Sequence, residues 1–270
     1  PTTVVGVFSD VGEAGRAVCT IMNRLRPSML ELMDNASISA VEARQPMGLD
    51  TSAGALLIGQ FDSPGSASDA KVLSEICEQS GVQETYVSED PQEAEMLVGA
   101  RRMVIPALES AGDWLLDDVA VPRTQLARTM VQIQEVAERH DVQIATFGHA
   151  GDGNLHPTIV TPRGDDEAAA RALTAFDEIL DVALANGGTV TGEHGIGSLK
   201  HHGNGWPRRH EVDEFTVKRA LFVNIIKGLS LSDCHTKQFC AQYFEICFEY
   251  TIIYFSSITI SYLSLIHISE

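Results

Sequence analysis

The chain has little positive charge. Its 19 lysines and arginines stand against 37 aspartates and glutamates, a formal net charge of −18. Nucleic-acid binding needs clustered cations to displace counterions, so a nucleic-acid partner is not expected. Paired CxxC cysteines are missing too. The five cysteines (Cys19, Cys77, Cys234, Cys240 and Cys247) are scattered and odd in number. They read as reduced thiols of a cytoplasmic protein, not as a disulfide frame. The opening PTTVVGVFSD has no basic segment leading into an apolar run, so no signal-peptide pattern is present. There is no internal repeat. The glycine-rich stretch FGHAGDGN fits neither GxGxxG nor GxxxxGK[ST], which argues against a phosphate cradle there.

What remains is an ordinary globular composition: 270 residues, 44% apolar and 21% charged. Apolar strand-like runs alternate with amphipathic helical ones. TTVVGVF (2–8), MLELMD (29–34), AGALLIGQFD (53–62), ETYVSED (84–90) and WLLDDVAVP (114–122) read as strands. Segments 10–26, 66–81, 91–112, 123–141 and 164–188 read as helices, the first capped by Asp10 and the third opened by Pro91. VQIATFGH (142–149) and LHPTIV (155–160) flank the turn-forming AGDGN and predict a hairpin. The fold expected is α+β, an antiparallel sheet covered by helices on one face.

The character changes after about Lys200. HHGNGWPRRH is basic and loop-like, and YTIIYFSSITISYLSLIHIS (250–269) carries no acidic or basic residue. Its length permits a membrane helix, but its Ser, Thr and β-branched content argues against one, and a genuine strand is the other ordered alternative. We expect residues 233–270 to be non-native or disordered, easily removed by proteolysis, and do not expect a membrane association.

Two stretches carry chemistry. FGHAGDGNLH (147–156) holds His149 and His156 on either side of a glycine-rich loop, and TGEHGIG (191–197) sets Glu193 beside His194 between glycines. Residues seven apart on one strand face opposite sides, but an intervening turn lets the two imidazoles converge. Two neutral imidazoles and a carboxylate suit zinc or another divalent metal with an open fourth position. Asp152 is a further carboxylate, either supporting a ligand or forming the turn. Spacing alone also permits structural histidines and a plain turn, since this is neither a zinc-finger nor an HExxH pattern.

ATFGHAGDGNLHP together with NGGTVTGEHGIGSLK resembles the C-terminal domain of FAD-linked oxidases, the family of the glycolate oxidase flavin subunit, D-lactate dehydrogenases and D-2-hydroxyglutarate dehydrogenase. The proline after His156 is most similar to the glycolate oxidase and D-lactate branch. The resemblance spans about residues 1–200, a substrate or cap domain with a ferredoxin-like sheet, and residues 201–232 resemble the family only weakly. It implies His149, His156 and Glu193 as ligands of a divalent metal, zinc being the one expected. It implies His194 as the base and Arg101 as the residue that binds substrate carboxylate, with Arg102 as the register alternative. Gly153, Asn154 and Glu193 would lie against the flavin. Leu116 stands where relatives with bulky diacid substrates carry a lysine, which favours a smaller monocarboxylate.

The activity implied is oxidation of a small D-2-hydroxy acid to the 2-oxo acid, with FAD as hydride acceptor. No glycine-rich flavin domain precedes Pro1, and the family's closing segment is not recognisable after Lys200. We therefore expect a chain truncated at both ends, inactive alone and weak in FAD binding. A metal-dependent hydrolase using the same His/His/Glu set, or an inactive binding fragment, are the alternatives.

Overall fold

Three strands near the start of the chain are apolar on both faces, and this decides the layering. In the computed structural model, which describes residues 1–194, nearly every residue of β1 (Thr2–Phe8), β2 (Met29–Asp34) and β3 (Ala55–Phe61) is buried. Alternate side chains feed two separate cores. Val4, Phe8, Leu32 and Leu57 enter one, while Val5, Val7, Met33 and Ile58 enter the other. A strand buried on both faces needs cover on both. The expectation of helices on a single face is therefore corrected to two helical layers around an open antiparallel sheet.

With β4 (Val82–Ser88), β5 (Asp113–Leu116), β7 (Gln143–His149) and β8 (Asn154–Thr161), the strand order is β4-β1-β3-β2-β7-β8-β5. The short β6 (Val119–Ala120) also pairs with β8. Every pairing is antiparallel. The β4-β1-β3-β2 portion is a ferredoxin-like unit, with α1 (Val11–Arg24) and α3 (Ser66–Gln79) as its crossover helices. These two pack in the first core with α6 (Leu126–His140) and α7 (Asp166–Ala185). The second core is closed by α2 (Asn35–Arg44) and α5 (Val104–Ala111).

The helix α2, of sequence NASISAVEAR, carries no clear amphipathic pattern. It is held at its start by Asp34, whose Oδ1 accepts from Ser37 N at 2.8 Å and from Ser37 Oγ at 2.7 Å. Asp34 Oδ2 accepts from Thr146 N of β7 at 2.7 Å, so one carboxylate ties helix to sheet.

Two expected elements are each split. The helix over 91–112 divides at Met103 into α4 (Pro91–Arg102) and α5. Pro106 has no N–H to offer the carbonyl of Arg102 and its ring crowds that carbonyl, so the helix cannot run through. The strand over 114–122 divides into β5 and β6 around Asp117–Asp118. Here the opposing residue is Pro157. Its carbonyl accepts from Asp117 N at 2.8 Å, but proline has no N–H to complete the ladder on that side. The ladder is interrupted there while β5 and β6 keep one register on β8, and both aspartates are buried.

The expected remainder at 201–232 and tail at 233–270 lie outside the described residues. Among the described residues, no helix is long and apolar enough to cross a membrane.

Candidate metal centre

The β7–β8 hairpin builds the first half of the site. The strands are joined by a 3-10 turn, Ala150–Asp152, followed by Gly153 at φ 75°. That φ is left-handed, and a Cβ at Gly153 would meet Val121 O at 2.1 Å. Asp152 is exposed in this turn. The register pairs His149 with Asn154 and Phe147 with His156. His149 and His156 thus sit diagonally on one face of the hairpin, the face of the second core. Their rings meet edge to face with centroids 5.5 Å apart.

The second half arrives from the end of the described chain. Glu193 Oε1 lies 3.1 Å from His149 Nε2 and 3.5 Å from His156 Nε2. One ligand atom from each of His149, His156 and Glu193 falls within 4.8 Å of the others. Two ring nitrogens and a carboxylate oxygen at this spacing fit a divalent cation of the zinc type. His194 stacks on His156 with centroids 5.0 Å apart and has its Nε2 3.8 Å from Glu193 Oε1. His156 is buried, whereas His149, Glu193 and His194 are each partly open to solvent.

Asp118 holds this second half in position. Its Oδ2 accepts the backbone N–H groups of Gly192, Glu193 and His194, each at 2.8 Å. Its Oδ1 stands 3.5 Å from His156 Nδ1. Gly192 is confined by the same packing, because a Cβ there would lie 2.1 Å from Asn154 Oδ1 and 2.6 Å from Asp118 Oδ1.

Glu31 supports the other histidine. It is the cross-strand partner of His149 in the β2–β7 register. Glu31 Oε1 is 2.5 Å from His149 Nδ1, and Glu31 Oε2 accepts from Arg101 Nε at 2.9 Å. Arg101 also lies over the Phe147 ring, 4.5 Å from its centroid. Burial lowers the Arg101 pKa, opposed by Glu31. Arg102 instead pairs with Glu95 at 2.7 Å on the exposed side of α4. The structure thus brings Arg101, and not Arg102, to the site. Leu116 packs beside the second core.

The charges reinforce one another. Hydrogen bonds donated to Glu193 and then to Glu31 raise the His149 pKa from 6.5 to about 10. Reciprocally, His149 and His156 hold the Glu193 carboxyl well below the usual range. The His149 ring lies between two carboxylates, Glu31 at Nδ1 and Glu193 at Nε2.

Glu31, Asp117 and Asp118 were not singled out in the sequence. Glu31 sits in an ordinary strand pattern, and Asp117–Asp118 looked like the middle of a strand. Pro157, which faces Asp117, is the available signal.

Sequence comparison matches residues 2–216 to the family described as FAD linked oxidases, C-terminal domain. The glycolate oxidase subunit GlcD of Bacillus subtilis is 34% identical over 202 residues, covering 73% of this chain and 43% of that protein. The Escherichia coli K12 glycolate oxidase subunit GlcD is 32% identical, covering 72% of this chain and 40% of its own length. A D-lactate dehydrogenase of Archaeoglobus fulgidus is 26% identical, covering 73% of this chain and 44% of that protein. The chain therefore spans less than half the length of these relatives. Among solved structures, p-cresol methylhydroxylase matches the fold with a TM-score of 0.53 at 14% identity, over 70% of this chain and 44% of that one.

Proposed function

The chain belongs to the family of FAD linked oxidases, C-terminal domain, and we propose that it forms the substrate side of a flavin enzyme that oxidises a small D-2-hydroxy acid, of the glycolate or D-lactate type, to the 2-oxo acid. The observation that carries this reading is the convergence of His149, His156 and Glu193 within 4.8 Å, beside a partly buried arginine. The names of the similar glycolate oxidase subunits and D-lactate dehydrogenase support the substrate class.

In this reading His149, His156 and Glu193 hold a divalent metal. When bound, the metal supplies Lewis-acid polarisation of the substrate oxygens and FAD supplies the acceptor for the hydride. Everything else falls to side chains of this chain. Arg101 commits Nε to Glu31, which leaves its two terminal amino groups, a fork suited to carboxylate, for the substrate. His194, half exposed and stacked on His156, takes the hydroxyl proton at Nε2 as general base. Asn154, buried with its amide atoms unpartnered, and Gly153 beside it form the wall that faces the flavin. Leu116 gives that neighbourhood an apolar residue, in keeping with a monocarboxylate.

The test is anaerobic mixing of FAD-loaded protein carrying this chain with glycolate, D-lactate and L-lactate. Bleaching of the oxidised flavin is expected with glycolate or D-lactate in the unmodified protein and not in His149→Ala. No bleaching by any of them would sink the reading. Metal-dependent hydrolysis of an ester or amide without flavin would favour a hydrolase instead.

A further inference from the structure

Glu31 links a candidate metal ligand to the candidate carboxylate anchor. One carboxylate oxygen meets the ring of a candidate metal ligand, and the other meets the candidate carboxylate anchor. We propose that Glu31 is the positioning residue of this centre: it keeps the proton of His149 on Nδ1, so that Nε2 is turned toward the cation, and it sets the Arg101 guanidinium at the same time. This inference rests on the metal reading above.

The geometry explains why a glutamate is needed. Its side chain is 8% exposed, and a buried carboxylate is tolerated only when paired. Pairing with Arg101 alone would satisfy one oxygen. The other goes to His149 Nδ1 at 2.5 Å, on the side of the ring away from Glu193. A neutral imidazole has one N–H and one lone pair, so an acceptor at Nδ1 leaves the lone pair on Nε2. Arginine is donor-only, which makes the arrangement directional. Arg101 is steadied a second time by the Phe147 ring, whose cross-strand partner is His156.

Glu31→Gln separates positioning from simple packing. The glutamine keeps the length of glutamate but has one acceptor and one donor end. Arg101 can only take the acceptor. The amide NH2 then faces His149 Nδ1, which must accept, moving the ring proton to Nε2 where a metal lone pair is required. Removing such an outer support costs about 10–100-fold in metal affinity.

The experiment uses the full chain with Co²⁺ as an optical probe and Zn²⁺ for NMR. In the wild type, Co²⁺ should give absorption bands of a low-coordinate nitrogen and oxygen site. In the Zn²⁺-loaded wild type, ¹⁵N–¹H correlation should find the His149 proton on Nδ1. Glu31→Gln should bind Co²⁺ about 10–100-fold more weakly while its thermal unfolding stays cooperative. Unchanged Co²⁺ affinity in Glu31→Gln overturns the inference and leaves the metal reading standing. A wild-type His149 proton on Nε2 overturns it even if the variant fails to fold. Absence of Co²⁺ binding in the wild type sinks the metal reading and this inference together.

Discussion

Asp118 Oδ2 accepts the backbone N–H of Glu193 at 2.8 Å, and those of Gly192 and His194 at the same distance. One buried oxygen thereby organises the loop that carries a candidate metal ligand and the candidate base. Hydrogen bonds to a charged acceptor are worth about 1.5–3 kcal/mol each, although three sharing one oxygen are not additive.

Asp118→Ala should release this loop without unfolding the sheet. Amide hydrogen exchange at 192–194 should accelerate at least about tenfold, the factor that corresponds to 1.4 kcal/mol, and Co²⁺ affinity should fall. Gly192→Ala should act in the same direction with Asp118 intact, because its Cβ would strike Asn154 and Asp118. Unchanged exchange in both variants would show that the contact does not hold the loop.

His149 carries a pH signature. Its pKa is raised from 6.5 to about 10 by Glu193 and Glu31. A histidine raised in the folded state contributes stability fully present below its unfolded value and lost as pH rises through its folded value. The metal-free protein should therefore lose stability between pH 6.5 and about 10, a trend weakened in His149→Gln. A cation must displace that proton, so metal affinity should rise with pH over the same window, by up to about tenfold per pH unit. Urea unfolding and Co²⁺ titration at several pH values measure both slopes; affinity independent of pH would contradict this account.

Asp34 offers a test of the fold away from the site. Asp34→Ala removes the cap of α2 and leaves Thr146 N–H without its acceptor. The expected loss is about 2–4 kcal/mol, combining about 1 for a cap with about 1–3 for an unpaired buried donor. Burial also raises the Asp34 pKa from 3.8 to about 6. An acid raised in the folded state holds its proton more tightly there, so this group's contribution to stability falls as pH rises from 3.8 to about 6. Asp34→Asn should flatten that segment of the stability curve. A urea midpoint within error of the wild type for Asp34→Ala would refute the assignment.

The β7–β8 hairpin was legible because its cause is local. Apolar strands on either side of AGDGN require a tight return, and Gly153 supplies the left-handed residue the turn needs. Once that return is made, His149 and His156 share a face whatever the rest of the chain does. The helices were legible for a similar reason, since a cap such as Asp10 and an opening proline such as Pro91 act within a turn or two.

The partners of those histidines were not legible. Glu31 lies 118 residues from His149, and only the β2–β7 register makes them neighbours. That register is set by burial summed over whole strands, each of which presents a similar apolar surface to several possible partners. The second helical layer has the same origin: strands apolar on both faces announce that cover is needed, but not which helix provides it. Asp118 follows Asp117, whose opposite residue Pro157 has no N–H to complete the ladder, and from that interruption it reaches the loop at Glu193. Turn and capping chemistry is encoded over a few residues, whereas the carboxylates that orient this centre are delivered by contacts between strands distant in the chain.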